Sequence, residues 1–290
     1  MIAAMTGAAD GPLAIICGGG SLPFAVADAA TKRGRRVVLF AIRGAADPER
    51  IAQYPHQWGS VGQFGRLQRM LNDAGCREVV FIGSLVRPAF WQLRLDFKTL
   101  TLLPRLAAAF RGGDNHLLSG VGDIFERNGF RLLGAHEVAP EILMPESALG
   151  KTHPSDQDRN DIETGFAYLR AAGPYDVGQA VVVSDRHVLA VEAIEGTDRM
   201  LARVAELRAS GSIRAPAGRG VLVKAPKPAQ DRRFDLPSIG PQTIEGVAKA
   251  GLAGLAVVAG ETIIAEPAQV AAAADRLNVF VTGMKAATAQ

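Results

Sequence analysis

The sequence predicts two α/β domains, an N-terminal Rossmann-like parallel sheet and a C-terminal domain of mixed α/β structure. Three observations support this prediction. The chain has 290 residues, which is about twice the usual length of a domain. Short runs of Val, Ile and Leu alternate with Ala-rich amphipathic stretches, as strands alternate with helices. Hydrophobic residues make up 48% of the chain, which argues against disorder.

The N-terminal half begins in the way a doubly wound sheet begins. An apolar run at 13–17 is followed by Gly-Gly-Gly-Ser-Leu and then by an amphipathic stretch at 24–32 that stops before Gly34. This order predicts a strand, a glycine loop and a helix. Because parallel strands end at one edge of a sheet, the loops after residues 17 and 82 should share that edge. The other elements predicted in this half are strands at 36–41, 78–82 and 130–133 and helices at 64–74, 100–110 and 121–128.

A linker is predicted at residues 146–154, where Pro, Ser, Gly and Lys accumulate. The domains are then residues 12–145 and 155–284, preceded by a disordered leader at 1–11 and followed by a tail at 285–290. In the second domain we expect a hairpin that turns at Asp185-Arg186, and a helix at 198–209 with Thr197 as its N-cap. The remaining elements are helices at 161–172, 243–250 and 268–276 and strands at 220–224, 255–259, 262–265 and 279–282.

Composition narrows the compartment and the partners. The two cysteines are too few for a disulfide framework, and no signal peptide is recognisable, so we expect a cytoplasmic protein. No apolar run approaches the ~20 residues that cross a bilayer. The net charge of +3 is small, the basic residues are scattered and only three Tyr are present, so we expect no nucleic-acid partner.

The glycine loop is a candidate phosphate site. Gly19, Gly20, Ser21 and Leu22 lie between a strand and a helix, where backbone N–H groups can approach phosphate without interference from Cβ atoms. Pro23 stands where the third glycine of a dinucleotide-binding fingerprint would be, so that fingerprint is not encoded. The alternative is a tight turn that binds no ligand.

Three carboxylates, Glu192, Glu195 and Asp198, lie close together where a strand passes into a helix. Like charges held together raise a pKa or bind a cation, and oxygen ligands suit Mg²⁺. The alternative is an acidic first turn that interacts with the helix dipole, which explains Asp198 but not Glu192. The five histidines show no spacing such as HxxxH, so zinc is not expected.

The proline-stiffened loop at 224–237 carries two lysines, two arginines and two aspartates. Such a loop can clamp a diphosphate and also supply a general base or a metal ligand, although a solvated surface loop is the alternative. Asp176 and Gln179, at the start of the hairpin, could contact a nucleobase or ribose, and a role in the turn explains them equally well.

Taken together, the segments at 13–23, 176–179, 190–198 and 222–237 resemble the LpxI type of UDP-2,3-diacylglucosamine pyrophosphatase, over residues 12–282. The resemblance implies a hydrolase of lipid A (lipopolysaccharide) biosynthesis in bacteria. It implies that the enzyme uses Mg²⁺ to cleave UDP-2,3-diacylglucosamine to UMP and 2,3-diacylglucosamine 1-phosphate (lipid X). It also implies a peripheral position on the inner membrane, an apolar cleft for the acyl chains, and a ligand site between the domains. A homodimer is left open.

The resemblance also implies roles for particular residues, with Asp235 as the preferred metal ligand or water activator. Asn115 departs from the acidic residue expected there, which puts a metal role at that position in doubt. The implied catalytic residues are Asp235, Asp231, Lys224 and Lys227. The implied metal ligands are Asp235, Asp231, Glu192 and Asp198. The implied substrate-binding residues are Gly19, Gly20, Ser21, Leu22, Ser84, Asp176, Gln179, Glu195, Gly196, Thr197, Gln230 and Thr243.

Two other functions remain open at this point. A nucleotide-dependent oxidoreductase fits the strand, glycine loop and helix, but Pro23 and the lack of a convincing acidic residue after the second strand argue against it. A non-catalytic nucleotide-sugar binding or regulatory protein is the other alternative, and turnover with a divalent ion would separate it from an enzyme.

Overall fold

The chain divides into two α/β units. A computed structural model describes residues 11–85, 95–102, 114–227, 231–234 and 236–285, without the side chains of 114–118. The first unit comprises the described parts of Met1–Ala139 together with Asp231–Phe234, and the second comprises the described parts of Pro140–Gln230 and Asp235–Gln290. Two α/β units, one with a parallel sheet and one with a mixed sheet, confirm the predicted fold class.

The first unit contains a fully parallel sheet, in the strand order β3-β2-β1-β4-β5 among the described residues. The Leu and Ile side chains of its central strand β1 are buried on both faces, as in sheets covered by helices on both sides. This order, with β1 at the centre, confirms the predicted Rossmann-like sheet. The strands are β1 (Leu13–Cys17), β2 (Val37–Ile42), β3 (His56–Gly59), β4 (Glu78–Ile82) and β5 (Arg131–Leu133).

The elements of the first unit that were not predicted include strand β3 and two short helices, Pro48–Ile51 and Ala135–Val138. Strand β3 has the sequence His-Gln-Trp-Gly, which lacks β-branched residues, and it lies at the edge of the sheet. The short helix Pro48–Ile51 is capped by Asp47, whose carboxylate accepts backbone N–H groups. The helices of this unit are Leu22–Lys32, Pro48–Ile51, Phe64–Asp73, Asp114–Arg127 and Ala135–Val138, and residues 97–102 are also helical. Most of the predicted helix at 100–110 lies outside the described residues, as do residues 1–10 and 286–290 of the predicted leader and tail.

The second unit contains a mixed sheet, in the order β6-β13-β11-β9-β7-β8. The three central strands β9, β11 and β13 run parallel to one another. The outer pairings are antiparallel: β6 with β13, β7 with β9, and β8 with β7. The strands are β6 (Ala148–Leu149), β7 (Ala180–Ser184), β8 (His187–Val191), β9 (Val221–Lys224), β11 (Gly254–Val258) and β13 (Phe280–Met284). A small separate sheet pairs β10 (Ser238–Ile239) with β12 (Ile263–Ile264).

Helices cover both faces of the mixed sheet, with a buried apolar cluster on each face. The first helix of this unit was predicted to begin at residue 161 but begins at Asp156. Ser155 and Asp158 form a reciprocal cap at its start, in which each side chain accepts the other's backbone N–H. The helices of this unit are Asp156–Ala172, Thr197–Ala209, Pro241–Lys249 and Pro267–Leu277. Among the described helices, none is both long and apolar enough to cross a bilayer.

The β7–β8 hairpin turns at Asp185 and Arg186, as predicted, and both residues have positive φ angles of 51° and 62°. Asp161 holds this turn, because its carboxylate accepts the backbone N–H groups of both turn residues. Asp161 is only 1% exposed, and its charge is therefore compensated by hydrogen bonds rather than by water.

The two units do not have the same bounds as the predicted domains, and residues 140–145 lie in the second unit. Residues 146–154, predicted as a linker, include the edge strand β6 of the mixed sheet. Residues 231–234 belong to the first unit, although the described chain on either side belongs to the second. There the Phe234 ring lies 5.4 Å from the Phe81 ring, and it packs so closely on Gly122 that a Cβ atom at that glycine would lie 2.8 Å from it.

Candidate functional site

The glycine loop after β1 is joined to the loop after β4 through their backbones. Gly19 donates its N–H to the carbonyl oxygen of Ser84 at 2.7 Å, and Ser84 donates its own to the carbonyl oxygen of Gly19 at 3.0 Å. Strands β1 and β4 are parallel and end in register at Cys17 and Ile82. The prediction that the two loops share one edge of the sheet is therefore confirmed.

The glycines of these two loops are explained by different structural requirements. A Cβ atom at Gly18 would lie 2.4 Å from the carbonyl oxygen of Ser84, and one at Gly83 would lie 2.7 Å from that of Gly19. Close backbone packing therefore explains these two glycines without a ligand. Gly20 has a φ of 90° and open space where a side chain would project. Ser21 is the N-cap residue of helix Leu22–Lys32, but its side chain accepts no hydrogen bond from a helix N–H group. The first N–H groups of this helix are therefore not capped by Ser21.

In the second unit, Glu192, Thr197 and Lys224 form a hydrogen-bonded chain. Lys224 Nζ donates to Thr197 Oγ1 at 3.0 Å and to the carbonyl oxygen of Ser238 at 3.0 Å. Thr197 Oγ1 donates to Glu192 Oε1 at 2.7 Å. Lys224 is 7% exposed and Glu192 is 9% exposed, so both charges are buried. Hydrogen bonds compensate their desolvation.

Glu192 is held on its other oxygen as well. Its Oε2 accepts the backbone N–H of Gln179 at 2.8 Å. The chain approaches Glu192 closely at the preceding residue, since a Cβ atom at Gly178 would lie 2.5 Å from Glu192 Cγ. Gln179, predicted to contact the substrate, thus lies beside Glu192 and Thr197.

The helix that follows Glu192 and Glu195 in the chain begins at Thr197, and its N-cap is Gly196 with a φ of 80°. The prediction of Thr197 as the N-cap was wrong, because its hydroxyl group is donated to Glu192 instead of accepting a helix N–H. No side chain caps this helix among the described residues. The buried ammonium of Lys224 therefore lies next to the positive end of an uncapped helix, an arrangement that attracts an anion.

Two ion pairs involve other predicted residues of the second unit. Lys227 Nζ lies 2.6 Å from Asp176 Oδ1, so the hairpin entrance and the loop after β9 are joined. Glu195 pairs with Arg203 at 2.9 Å. Hydrogen bonding to its own backbone N–H, and then pairing with Arg203, lower the pKa of the Glu195 carboxyl group.

Asp231 lies in the first unit and is paired with Arg233. Arg233 Nε lies 3.0 Å from Asp231 Oδ1 and its Nη2 lies 2.8 Å from Asp231 Oδ2. Hydrogen bonds from Arg233 lower the pKa of the Asp231 carboxyl group. Arg233 also contacts Glu126 at 2.5 Å. The preferred residue Asp235 and the predicted substrate residue Gln230 lie outside the described residues.

The described carboxylates do not form a metal-binding cage of their own. No group of three or more His, Cys, Asp or Glu side chains is placed to hold a metal in the part of the chain that is described. Both oxygens of Glu192 and both oxygens of Asp231 already accept hydrogen bonds. In the second unit, Glu192 and Asp198 are therefore not part of such a group among the described residues. The Asn115 side chain is not described.

Thr243 has a local structural role. Its Oγ1 accepts the backbone N–H of Gly240 at 3.3 Å and so caps the helix in which Thr243 lies. The partners of the predicted residues that sequence reasoning missed include Arg203, Arg233 and the carbonyl oxygen of Ser238. The carbonyl gives no sequence signal, whereas Arg233 stands two positions after Asp231 and could have been paired with it.

Comparison with known proteins covers nearly the whole chain. The family model described as the LpxI N-terminal domain matches residues 12–142, and the model described as the LpxI C-terminal domain matches residues 145–282. The chain is 43% identical to the UDP-2,3-diacylglucosamine pyrophosphatase LpxI of Caulobacter vibrioides over 272 residues, which is 94% of this chain and 97% of that protein. The chain therefore belongs to the LpxI family.

Proposed function

We propose that this protein hydrolyses the pyrophosphate bond of UDP-2,3-diacylglucosamine, giving UMP and 2,3-diacylglucosamine 1-phosphate in lipid A biosynthesis. The observation that carries the proposal is the sequence identity to a relative that bears the name of this activity. The two chains are 43% identical, and the match covers 97% of the length of that relative. The match includes both family domains, so it is not confined to a nucleotide-binding half. Membership of a fold class alone would not support a particular reaction.

In this proposal the diphosphate binds where Lys224 lies beside the start of helix Thr197–Ala209. A buried ammonium and an uncapped helix N-terminus both favour negative charge, and both are fixed before the substrate arrives. Lys227, in the loop that follows β9, would add a second positive charge. Charge that develops on the departing phosphate is thereby offset without a large rearrangement.

Water attack on phosphorus requires a group that orients the water and accepts its proton. We assign this role to Asp235. Glu192, with both oxygens engaged, and Asp231, paired with Arg233, are less suited to it. Mg²⁺ would offset phosphate charge, and the described residues fit it only as an ion held largely by substrate phosphates and one or two carboxylates.

The acylated substrate and product are amphipathic, and we propose that the protein meets them as a peripheral protein at the inner membrane surface. The uridine end would approach Asp176 and Gln179, at the hairpin entrance. Asp176 is joined to Lys227, so a nucleoside bound there would lie next to the loop that carries the phosphate-binding lysines.

The test is incubation of the purified protein with UDP-2,3-diacylglucosamine in mixed micelles, with products identified by mass spectrometry. We expect UMP and 2,3-diacylglucosamine 1-phosphate, and loss of turnover when divalent ions are chelated. Asp235→Ala should fold and lose turnover by at least about a hundredfold. Binding of the substrate without turnover by the wild-type protein would instead identify a non-catalytic nucleotide-sugar binding protein.

A further inference from the structure

The hydrogen bonds around Lys224 run in one direction. An ammonium group can only donate, so Lys224 Nζ donates to Thr197 Oγ1 at 3.0 Å. The single hydroxyl hydrogen of Thr197 is donated to Glu192 Oε1 at 2.7 Å. The ionised carboxylate can only accept, and it ends the chain. Thr197 therefore connects a buried positive charge to a buried negative charge.

Both ends of this chain are anchored. The carbonyl oxygen of Ser238 accepts a second N–H of Lys224 at 3.0 Å. The backbone N–H of Gln179 occupies the other oxygen of Glu192 at 2.8 Å. Rotation of the Glu192 carboxylate would break one of its two bonds, and an unmade bond to a buried charged group is costly. The direction of the Lys224 side chain is therefore set by groups on three separate segments of the chain, at residues 179, 192–197 and 238.

We infer that Glu192 and Thr197 are positioning residues, which fix the Lys224 ammonium group for the developing phosphate charge. This inference rests on the proposed function and adds to it, because Glu192 acts through Lys224 and not as a metal ligand. Preorganised charge accelerates a reaction only while its position is held, and a displacement of a charged group by about 1 Å is enough to lower the rate.

The alternative role for Glu192 is that of a ligand of Mg²⁺, together with other oxygen ligands. Each of its oxygens already accepts a hydrogen bond at 2.7 or 2.8 Å. Among the described side chains, the other carboxylates of this segment, Glu195 and Asp198, are not grouped with it as metal ligands. Glu195 is paired with Arg203 instead. The geometry thus favours a carboxylate that orients its neighbours.

The first test compares Thr197→Val with Thr197→Ser. Valine has the shape of threonine but cannot relay the hydrogen bond, whereas serine keeps the hydroxyl group. We expect Thr197→Val to lower kcat about tenfold or more with little change in KM, and Thr197→Ser to stay within about threefold of the wild type. Thr164→Val is the matched control, since the Thr164 hydroxyl only donates to the carbonyl oxygen of Asn160 in its own helix. Wild-type kcat in Thr197→Val, or equal losses in the valine and serine variants, would overturn the inference.

The second test uses Glu192→Gln, whose single amide oxygen can accept only one of the two bonds. We expect kcat to fall about tenfold while the Mg²⁺ concentration for half-maximal activity stays unchanged. Combined with Thr197→Val, the loss should be close to that of either single variant, because both break one chain. A shift in the Mg²⁺ requirement, with kcat restored by excess Mg²⁺, would make Glu192 a metal ligand and overturn the inference. Glu192→Gln also serves as the test if Thr197→Val does not fold.

Failure of the proposed function gives a different result. If the wild-type protein releases no UMP from UDP-2,3-diacylglucosamine, the activity is refuted before any variant is compared. The positioning relationship is then tested by crystal structures of the wild type and Thr197→Val. We expect Lys224 Nζ to leave the carbonyl oxygen of Ser238 in the variant, and an unmoved ammonium group would contradict the positioning role.

Discussion

Asp161 Oδ1 accepts the backbone N–H of Arg186 at 2.7 Å, so a helix of the second unit holds the turn of a hairpin through one buried carboxylate. Asp161 Oδ2 accepts the N–H of Asp185 at 3.1 Å. An asparagine at this position can accept only one of these bonds and would turn its NH₂ group towards the other donor. The hairpin concerned begins next to Gln179 and ends next to Glu192, two members of the candidate site.

We therefore expect Asp161→Asn to lower the free energy of unfolding by about 2 kcal/mol, since a buried donor loses its partner. Glu163→Gln is the control, because Glu163 is exposed on the same helix, and its effect should stay within about 0.5 kcal/mol. Urea denaturation followed by circular dichroism measures both. Equal stability of the two variants would show that the turn does not depend on Asp161.

A second prediction separates backbone strain from phosphate approach at the glycine loop. Gly20 and Gly129 both have positive φ angles, of 90° and 86°, and a Cβ atom at either would meet no atom within 4 Å beyond its chain neighbours. Substitution by alanine at either glycine should therefore lower the free energy of unfolding by a similar amount, roughly 1–2 kcal/mol. Only Gly20→Ala should also lower kcat/KM, because only its methyl group would stand where phosphate is proposed to approach. Unaltered kcat/KM in Gly20→Ala would favour the tight turn without a ligand.

A third prediction concerns acid stability. Arg233 lowers the pKa of Asp231 below its ordinary value of 3.8, so the pair stabilises the fold above that pH. The contribution is lost as the pH falls through the lowered pKa. In Arg233→Met the pKa of Asp231, followed by NMR titration, should rise towards the ordinary value. The stability difference between wild type and variant should be largest near neutral pH and small at about pH 2. Because Arg233 also pairs with Glu126, Arg233→Met removes two ion pairs. The variant Asp231→Asn is therefore needed to measure the contribution of Asp231 alone.

A fourth prediction concerns the thiols. Cys17 and Cys76 are both fully buried, and burial raises the pKa of Cys17 to about 12 and that of Cys76 to about 11. A thiol with so high a pKa forms little reactive thiolate at neutral pH. We expect neither cysteine to react with a disulfide reagent in the folded protein, and both to react in denaturant. Rapid modification of the native protein would contradict this burial.

The sequence predicted best where one pattern determines one structure. The apolar run at 13–17, the glycines after it and the amphipathic stretch at 24–32 correspond to β1, its loop and the helix Leu22–Lys32. The turn at Asp185 and Arg186 was also recognisable, because a short polar pair separated two apolar runs. Strand β3 could not be recognised in the same way, since its pairing with β2 comes from the backbone and not from its side chains.

The candidate site was only partly predictable, because composition cannot distinguish a ligand from a hydrogen-bond acceptor. Glu192 was expected as a metal ligand on account of its acidic neighbours, and no sequence pattern indicated the hydrogen bonds that it accepts from Thr197 and Gln179. Thr197 was expected as a helix cap, and instead it links Glu192 to Lys224. These relationships join residues far apart in sequence, and only the folded backbone brings them together.

The packing of Phe234 on Phe81 affects how the gene can be divided. A polypeptide that stops near residue 139 would lack the short aromatic piece that completes its own interior, and we expect it to leave the Phe81 ring uncovered and to aggregate. Exchange of the second half between relatives would likewise have to preserve an aromatic partner for Phe81. The two halves of this chain are therefore not interchangeable modules, although each matches a family domain of its own.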